Sequence, residues 1–233
     1  LEARFWGDPD DGPTLVLLHE GLGCIALWRG FPDALHRATG LPVMAYSRAG
    51  YGQSDADDLP RPLDWMTNEA LDVLPQVLGR AKVRTAILVG HSDGATIAAI
   101  HASQSNHIAG LVLMAPHFFT EEMGLAEIAR AAEGFAGSGM AERMQKYHRD
   151  PVATFRGWAD AWLSPEFRDW NVEGALASVT CPILAVQGAD DQYGTLAQID
   201  AIADRAPGNV TQLILENCQH SPHLEQEEVV VGA

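Results

Sequence analysis

The stretch Gly90-His91-Ser92-Asp93-Gly94 restricts the fold of this chain more than any other part of the sequence. The apolar run before it, residues 86–89, is typical of a strand buried on both faces. The small residues after it, 95–102, predict a helix that packs closely on a sheet. A strand that turns directly into a helix strains the middle residue, and the flanking glycines avoid Cβ clashes. The pattern therefore predicts that the Ser92 hydroxyl is exposed at the carboxyl edge of a sheet, near a helix N-terminus.

Strand-like apolar runs recur on both sides of this turn. They cover residues 3–6, 14–19, 42–47, 110–114, 182–187 and 211–215. Further helices are predicted near 28–38, 67–81 and 194–206, the second of them bent by Pro75. The repeated strand–helix–strand order predicts an α/β fold, with a mostly parallel twisted sheet and helices on both faces. In such a sheet, ligands bind at the carboxyl ends of the strands.

The alternation of strands and helices stops between residues 117 and 179. This segment contains no clear strand and many aromatic residues, and it is too long for a structureless loop in a compact domain. We therefore expect a helical cap, or lid, at 117–179. It would be inserted into a core formed by residues 1–116 and 180–233.

The composition limits the classes of partner. The chain has 233 residues, enough for one large core, and its net charge is −16 with only two lysines. Nucleic acids and anionic membranes require a basic surface, so we expect a small-molecule substrate, with no nucleic acid and no membrane as partner. No apolar run reaches membrane-spanning length. The sequence carries no signal for the oligomeric state.

Cysteine usage points to a reducing environment. Cys24, Cys181 and Cys218 have no spacing typical of a disulfide framework or of a metal site. The cytoplasm is therefore the expected compartment. No metal is expected.

A serine hydroxyl is a poor nucleophile unless a base removes its proton, so Ser92 requires a nearby base. The last predicted strand is followed by two histidines, His220 and His223. We favour His220 as the base and keep His223 as the alternative, which equally fits an exposed loop residue. Their spacing also resembles a metal-binding pair, but no carboxylate or cysteine cluster supports that interpretation.

An imidazole base requires a carboxylate that orients it and stabilises its charged form. The strand at 182–187 is followed by two candidates, Asp190 and Asp191, and we favour Asp191. Ser92, Asp191 and His220 then occur in that order, each on a loop after its own strand. Three elements placed by three different strands are a stronger signal than any one of them alone.

The negative charge that develops on an attacked carbonyl oxygen requires hydrogen-bond donors fixed in advance. The backbone N–H of Asp93, next to Ser92, is one candidate. The second donor is expected from the loop after strand 14–19, and we favour the N–H of Leu22. Gly21 and Gly23 in this loop suit a close backbone approach. The roles of the Glu20 and Asp93 side chains, both acidic and near the site, are left open.

Taken together, these residues resemble the α/β-hydrolase superfamily. The matching motifs are LLHEGLG, SRAGYGQSD, GHSDG, GADD and HSPHLE, and they extend over nearly the whole chain. The resemblance implies an eight-stranded sheet, a lid between the sixth strand and the helix before the seventh, and no cofactor. The chain departs from the common pattern at Gln219 and Ala95, where relatives usually have glycine.

The resemblance implies a hydrolase. We expect cleavage of carboxylic esters of small or medium apolar substrates, with Ser92 as nucleophile, His220 as base and then acid, and Asp191 orienting the histidine. A serine at position 92 argues against haloalkane dehalogenases and epoxide hydrolases, which would have aspartate there. The alternatives are hydrolysis of thioester, lactone, amide or C–C bonds by the same residues, and a ligand-binding protein without catalysis.

Several side chains are candidates for a substrate pocket. They are Glu20, Trp28, Phe118, Trp158 and Trp162. Trp158 and Trp162 are four residues apart, so they share one face of a helix. The alternative for the aromatic residues is that they only pack the cap on the core.

Overall fold

The computed structural model of the chain describes residues 1–9 and 12–233, and in this part seven strands form one sheet. The strands are β1 (Glu2–Trp6), β2 (Thr14–Leu18), β3 (Val43–Ser47), β4 (Ala86–His91), β5 (Ile108–Met114), β6 (Ile183–Gly188) and β7 (Val210–Leu215). Their spatial order is β1-β3-β2-β4-β5-β6-β7. β1 is antiparallel to β3 and every other pair is parallel, which confirms the mostly parallel sheet.

The resemblance implied eight strands, and this expectation is wrong for the described part of the chain, which has seven. The antiparallel strand β1 itself forms one edge of the sheet, and only Leu1 precedes it in the given sequence.

The helices lie between and after the strands. They are α1 (Phe31–Thr39), α2 (Trp65–Asn68), α3 (Leu74–Arg80), α4 (Asp93–Ala102), α5 (Glu122–Phe135), α6 (Met140–Met144), α7 (Pro151–Trp162), α8 (Ala197–Arg205), α9 (Pro222–Glu225) and α10 (Glu227–Gly232). On one face of the sheet, α1 and α10 contribute Phe31, Leu35 and Val230 to the core. On the other face, α4 and α8 contribute Ile97 and Ile202.

Strand β2 shows why the sheet is covered on both faces. Leu15 and Leu17 belong to the core cluster on one side, while Val16 and Leu18 belong to the cluster on the other. Successive side chains of a strand point to opposite faces, so an uninterrupted apolar run requires two apolar environments. The helices on the two faces supply them.

The predicted bend at Pro75 takes a specific form. A π-helical turn, Glu69–Val73, separates α2 from α3, and Pro75 follows in the first turn of α3. Proline has no N–H, and its ring clashes with the carbonyl four residues earlier. The hydrogen-bond ladder therefore changes its spacing just before the proline.

The segment between β5 and β6 is helical. It contains α5, α6 and α7, and its β-structure in the described chain is a single bridge between Phe119 and Asn171. Within residues 1–9 and 12–233, no helix combines the length and apolar character needed to cross a membrane.

Candidate active site

Ser92 is the single residue between β4 and α4. Its φ is 54° and its ψ −121°, a conformation that a residue with a side chain rarely adopts. A Cβ atom at Gly94 would overlap the carbonyl of Leu18, and one at Gly90 would overlap the backbone of Ala95. The two glycines therefore permit the tight turn that holds the Ser92 hydroxyl at the carboxyl edge of the sheet.

The structure brings Ser92, His220 and Asp191 into one hydrogen-bonded chain. The Nε2 atom of His220 is 3.0 Å from the Ser92 hydroxyl oxygen, and its Nδ1 atom is 2.9 Å from an Asp191 carboxylate oxygen. Asp191 also accepts hydrogen bonds of 2.8 Å from the Gln187 side chain and from the N–H of Tyr193. The three residues lie on the loops that follow β4, β6 and β7.

The charge state of Asp191 sets the tautomer of His220. Burial opposes ionisation of Asp191, but the hydrogen bonds from His220 and from the Tyr193 N–H, and the charge of His220 when it is protonated, lower the pKa of the carboxyl. An ionised Asp191 accepts the Nδ1 proton of a neutral imidazole, which leaves Nε2 as an acceptor towards Ser92. The competing acid, Asp190, is exposed, and no side-chain hydrogen bond to it occurs in the described residues.

The interpretation of His223 as an exposed loop residue is wrong. His223 is 2% exposed, and its ring packs against Trp28, Phe31 and His91, with ring centroids 4.8, 5.4 and 4.7 Å away. Pro222 begins α9, and this short helix turns His223 into the core. Burial lowers the pKa of His223 to about 3.

A cavity of about 170 Å³ lies beside Ser92 and His220. Its apolar wall consists of Leu22, Leu125, Ile128, Trp158, Trp162 and Tyr193. Glu20, Trp158 and Trp162 were expected to line a pocket, and they line this cavity. Leu125 and Ile128, which were not expected, are three residues apart on α5 and so share a face of that helix.

The expectation that Trp28 and Phe118 line the pocket is wrong. Trp28 is buried in the core cluster with α1, stacked on Phe31. Phe118 is fully buried in the other cluster, and its N–H donates to the Gln198 side chain on α8. Both rings therefore point into the core, and neither residue lines the cavity.

His117 and Glu121 also line the cavity, and the sequence interpretation missed both. His117 follows β5, so the rule that site residues follow strand ends could have identified it. Glu121 precedes α5 and accepts hydrogen bonds from Thr195 and from the Gln198 side chain. No sequence signal connects Glu121 with those two partners, which lie more than seventy residues away.

The loop after β2 is fixed by a buried arginine. Arg48 donates to the carbonyl oxygens of His19 and Glu20, at 2.5 and 2.9 Å. The Leu22 carbonyl lies 3.1 Å from the His148 ring. Leu22 and Asp93, which carry the two predicted donor N–H groups, both line the cavity.

The two glycines of this loop make room for side chains. A Cβ atom at Gly21 would overlap the Trp158 indole, and one at Gly23 would overlap the Glu20 carboxylate. The close approach expected at these glycines occurs. Trp158 of α7 lies against Gly21, and Glu20 of the same loop lies against Gly23.

The side chain of Glu20, whose role the sequence left open, lies beside His91. Its carboxylate is 3.5 Å from Nδ1 of His91, and Nε2 of His91 donates to the carbonyl oxygen of His220 at 2.7 Å. Burial opposes ionisation of Glu20, but the neighbouring His91 outweighs it and holds the pKa of the carboxyl well below its usual range. Glu20 and His91 thereby connect the loop after β2 with the loop that carries His220.

The side chain of Asp93 is 1% exposed, and its Oδ2 atom has no hydrogen-bond partner among the described residues. Burial raises the pKa of Asp93 to about 6, against the opposing influence of Arg48 and Arg61. A carboxyl whose pKa is higher in the folded than in the unfolded chain binds protons more tightly when folded. Its ionised form therefore destabilises the protein, and the cost develops as the pH rises from about 4 to about 6 and stays constant above that.

Asp93→Asn is therefore expected to stabilise the protein at pH 7.5. The gain should be about 2–3 kcal/mol in the free energy of unfolding, and it should nearly vanish at about pH 3, where the carboxyl is mostly protonated in both states. Urea unfolding at the two pH values measures it, with the exposed Asp190→Asn as a control that changes little. A variant less stable than the unchanged protein at pH 7.5 would show that Asp93 contributes favourable interactions.

The parallel sheet, the turn at Ser92 and the site at the carboxyl edge define an α/β hydrolase. A family model described as the alpha/beta hydrolase family matches residues 15–233, and the chain belongs to this family.

Among proteins of known identity, the chain is similar to protein phosphatase methylesterase 1 of Bos taurus, with 24% identity over 206 residues. The match covers 86% of this chain and 50% of the methylesterase, so the chain spans about half the length of that relative.

Two solved structures have the same fold. One is the 2-hydroxy-6-oxo-6-phenylhexa-2,4-dienoate hydrolase of Rhodococcus sp. strain RHA1, with a TM-score of 0.80 and 18% identity, covering 97% of this chain and 90% of that one. The other is an esterase of Exiguobacterium antarcticum, with a TM-score of 0.76 and 20% identity, covering 99% and 92%.

Proposed function

We propose that this protein is a serine hydrolase that cleaves carboxylic esters through an acyl-enzyme. The observation that carries the proposal is the chain of hydrogen bonds from Ser92 to His220 and on to Asp191, at 3.0 and 2.9 Å. The strained backbone of Ser92 and the adjacent cavity support it. The name of the methylesterase relative supports an ester as the bond that is cleaved.

In the first half-reaction, the Ser92 oxygen attacks the ester carbonyl carbon while Nε2 of His220 takes the hydroxyl proton. Asp191 stabilises the resulting imidazolium through Nδ1. His220 then donates the proton to the departing alcohol, which leaves the acyl group on Ser92. In the second half-reaction, water replaces the alcohol, and the same residues release the acid.

The backbone N–H groups of Leu22 and Asp93 are the proposed donors to the oxyanion. Arg48 supports this role because it binds the two carbonyl groups that precede Leu22 in the loop. Donors that are fixed before the reaction cost no reorganisation when the charge develops.

The helical segment 117–179 is proposed to act as a cap. Its helices α5 and α7 contribute Leu125, Ile128, Trp158 and Trp162 to the cavity. These side chains favour an apolar group of small or medium size next to the reacting carbonyl. The net charge of −16 favours a small molecule over nucleic acid or an anionic membrane as partner.

An organophosphonate probe tests the proposal. The unchanged protein should be modified once, at Ser92, as read by intact mass and peptide mapping, and it should hydrolyse a series of p-nitrophenyl esters. Labelling without ester turnover would redirect the search to thioester, lactone, amide and C–C substrates of the same residues. Absence of labelling would contradict the proposal and favour a ligand-binding protein without catalysis.

A further inference from the structure

The polar wall of the cavity beside Ser92 is acidic. Three acidic residues border it, Glu20, Asp93 and Glu121, and the Asp93 carboxyl is buried behind the surface. No lysine or arginine lines this cavity within the described residues. Apart from His220, the lining residue that could carry a positive charge is His117, and burial lowers the pKa of His117 to about 3, so it brings no positive charge at neutral pH.

The protein neutralises these carboxylates only in part. Glu121 accepts its hydrogen bonds from the backbone and hydroxyl of Thr195 and from the Gln198 amide, all of which are uncharged donors. Asp93 has an oxygen with no hydrogen-bond partner in the described chain. Only Glu20 lies at ion-pair distance from a possible cation, His91.

The two nearby arginines, Arg48 and Arg61, donate their hydrogen bonds to groups outside these three carboxylates. Arg48 donates to two backbone carbonyls, and Arg61 donates to Asp57 and Tyr51. A buried carboxylate without a cationic partner is costly, and such an exception in a native structure calls for an explanation. A cationic ligand in the cavity would offset this negative charge through space.

The apolar wall also suits a cation. Trp158, Trp162 and Tyr193 present aromatic side chains to the cavity. The faces of such rings attract ammonium groups, most strongly where water is excluded. The net charge of −16 adds a long-range attraction for cations approaching the site.

We infer that the substrate of this site carries an ammonium group beside an apolar body, and that anionic esters are rejected. This inference rests on the proposed function, since it assigns the substrate class of the same serine site.

Two phosphonates of equal shape test the inference without knowledge of the natural substrate. One has a thiocholine leaving group and the other its neutral 3,3-dimethylbutanethiol counterpart. In both, the Ser92 oxygen forms a bond to phosphorus, the P–S bond breaks, the thiolate leaves with the bonding electrons, and the proton passes to His220. A second pair carries the trimethylammonium or tert-butyl group on the alkyl chain that remains on phosphorus.

The rate of Ser92 modification, read by intact mass, is compared within each pair. In at least one pair, the cationic reagent should react about tenfold faster at low ionic strength, and the ratio should fall several-fold at about 0.5 M salt. Modification of Ser92 at equal rates within both pairs would overturn the inference and leave the proposed function intact. Failure of all four reagents to modify Ser92 would contradict the proposed function itself.

Variants that each remove one carboxylate test whether the cavity causes the preference for the cationic reagent. Glu121→Gln and the isosteric Asp93→Asn should each lower the cationic-to-neutral rate ratio several-fold. Glu133→Gln, which removes an exposed carboxylate from the same helix, α5, should leave the ratio unchanged. A ratio that falls equally in all three variants would attribute the preference to net charge alone and would overturn the assignment to the cavity. The neutral reagents report whether each variant remains competent.

Discussion

Ser92→Ala is expected to lower kcat/KM for a good ester substrate by about 10⁴- to 10⁶-fold. The substitution removes the oxygen that forms the acyl-enzyme in the proposed mechanism, together with the hydroxyl proton that His220 accepts. Stability should hardly change, because the lost hydrogen bond contributes about 1 kcal/mol and alanine tolerates the strained turn no worse than serine. Ester hydrolysis assays and thermal unfolding, with the melting temperature within about 3 °C of the unchanged protein, measure the two effects.

Ser221→Ala provides the matched control for this experiment. Ser221 is adjacent to His220, but its hydroxyl makes no hydrogen bond to a described residue, so its loss should leave turnover nearly unchanged. If Ser92→Ala retained more than a few per cent of activity after contaminating esterases were excluded, a different nucleophile would be required.

The sequence predicted which side chains the strand ends bring together. Ser92, Asp191 and His220 each follow an apolar run, and parallel strands bring their carboxyl ends to one edge of a sheet. The large separation of these residues along the chain therefore did not prevent the prediction that they meet. The glycines around Ser92 carry the remaining information, because their spacing has a steric cause that is local.

The sequence was insufficient where the contacts depend on how distant elements pack. Trp28 and Phe118 are aromatic residues near the site in sequence, but their rings point into the core and not into the cavity. Hydrophobic character alone cannot distinguish these two environments. The same limit applies to Glu121, whose place in the cavity wall depends on contacts with Thr195 and α8.

The site also contains features that reduce stability. Ser92 has a backbone conformation that costs energy, and the Asp93 carboxyl is buried with an unsatisfied oxygen. Both residues border the cavity. Unfavourable local features beside a candidate nucleophile are expected where function, and not folding, maintains them.

Identical substitutions at the two histidines of the last loop are expected to have opposite outcomes. His220→Phe should reduce kcat/KM by about 10⁴-fold or more, because no other group in the site can take the Ser92 proton. His223→Phe should retain most activity. The His223 ring packs against Trp28 and Phe31, and its Nδ1 atom has no partner in the described residues, so phenylalanine preserves the packing without losing a hydrogen bond.

The same phosphonate labelling and ester assays, with thermal unfolding as a check on folding, measure this contrast. An inactive but folded His223→Phe variant, beside an active His220→Phe variant, would reverse the assignment of the base. Loss of activity in both would instead mean that the base position depends on the ring cluster of His223 and His91, through the hydrogen bond from His91 to the His220 carbonyl. The depressed pKa of His223 argues for the expected contrast, with His220 as the base, because a histidine that stays neutral to about pH 3 is too weak a base to take a serine proton efficiently.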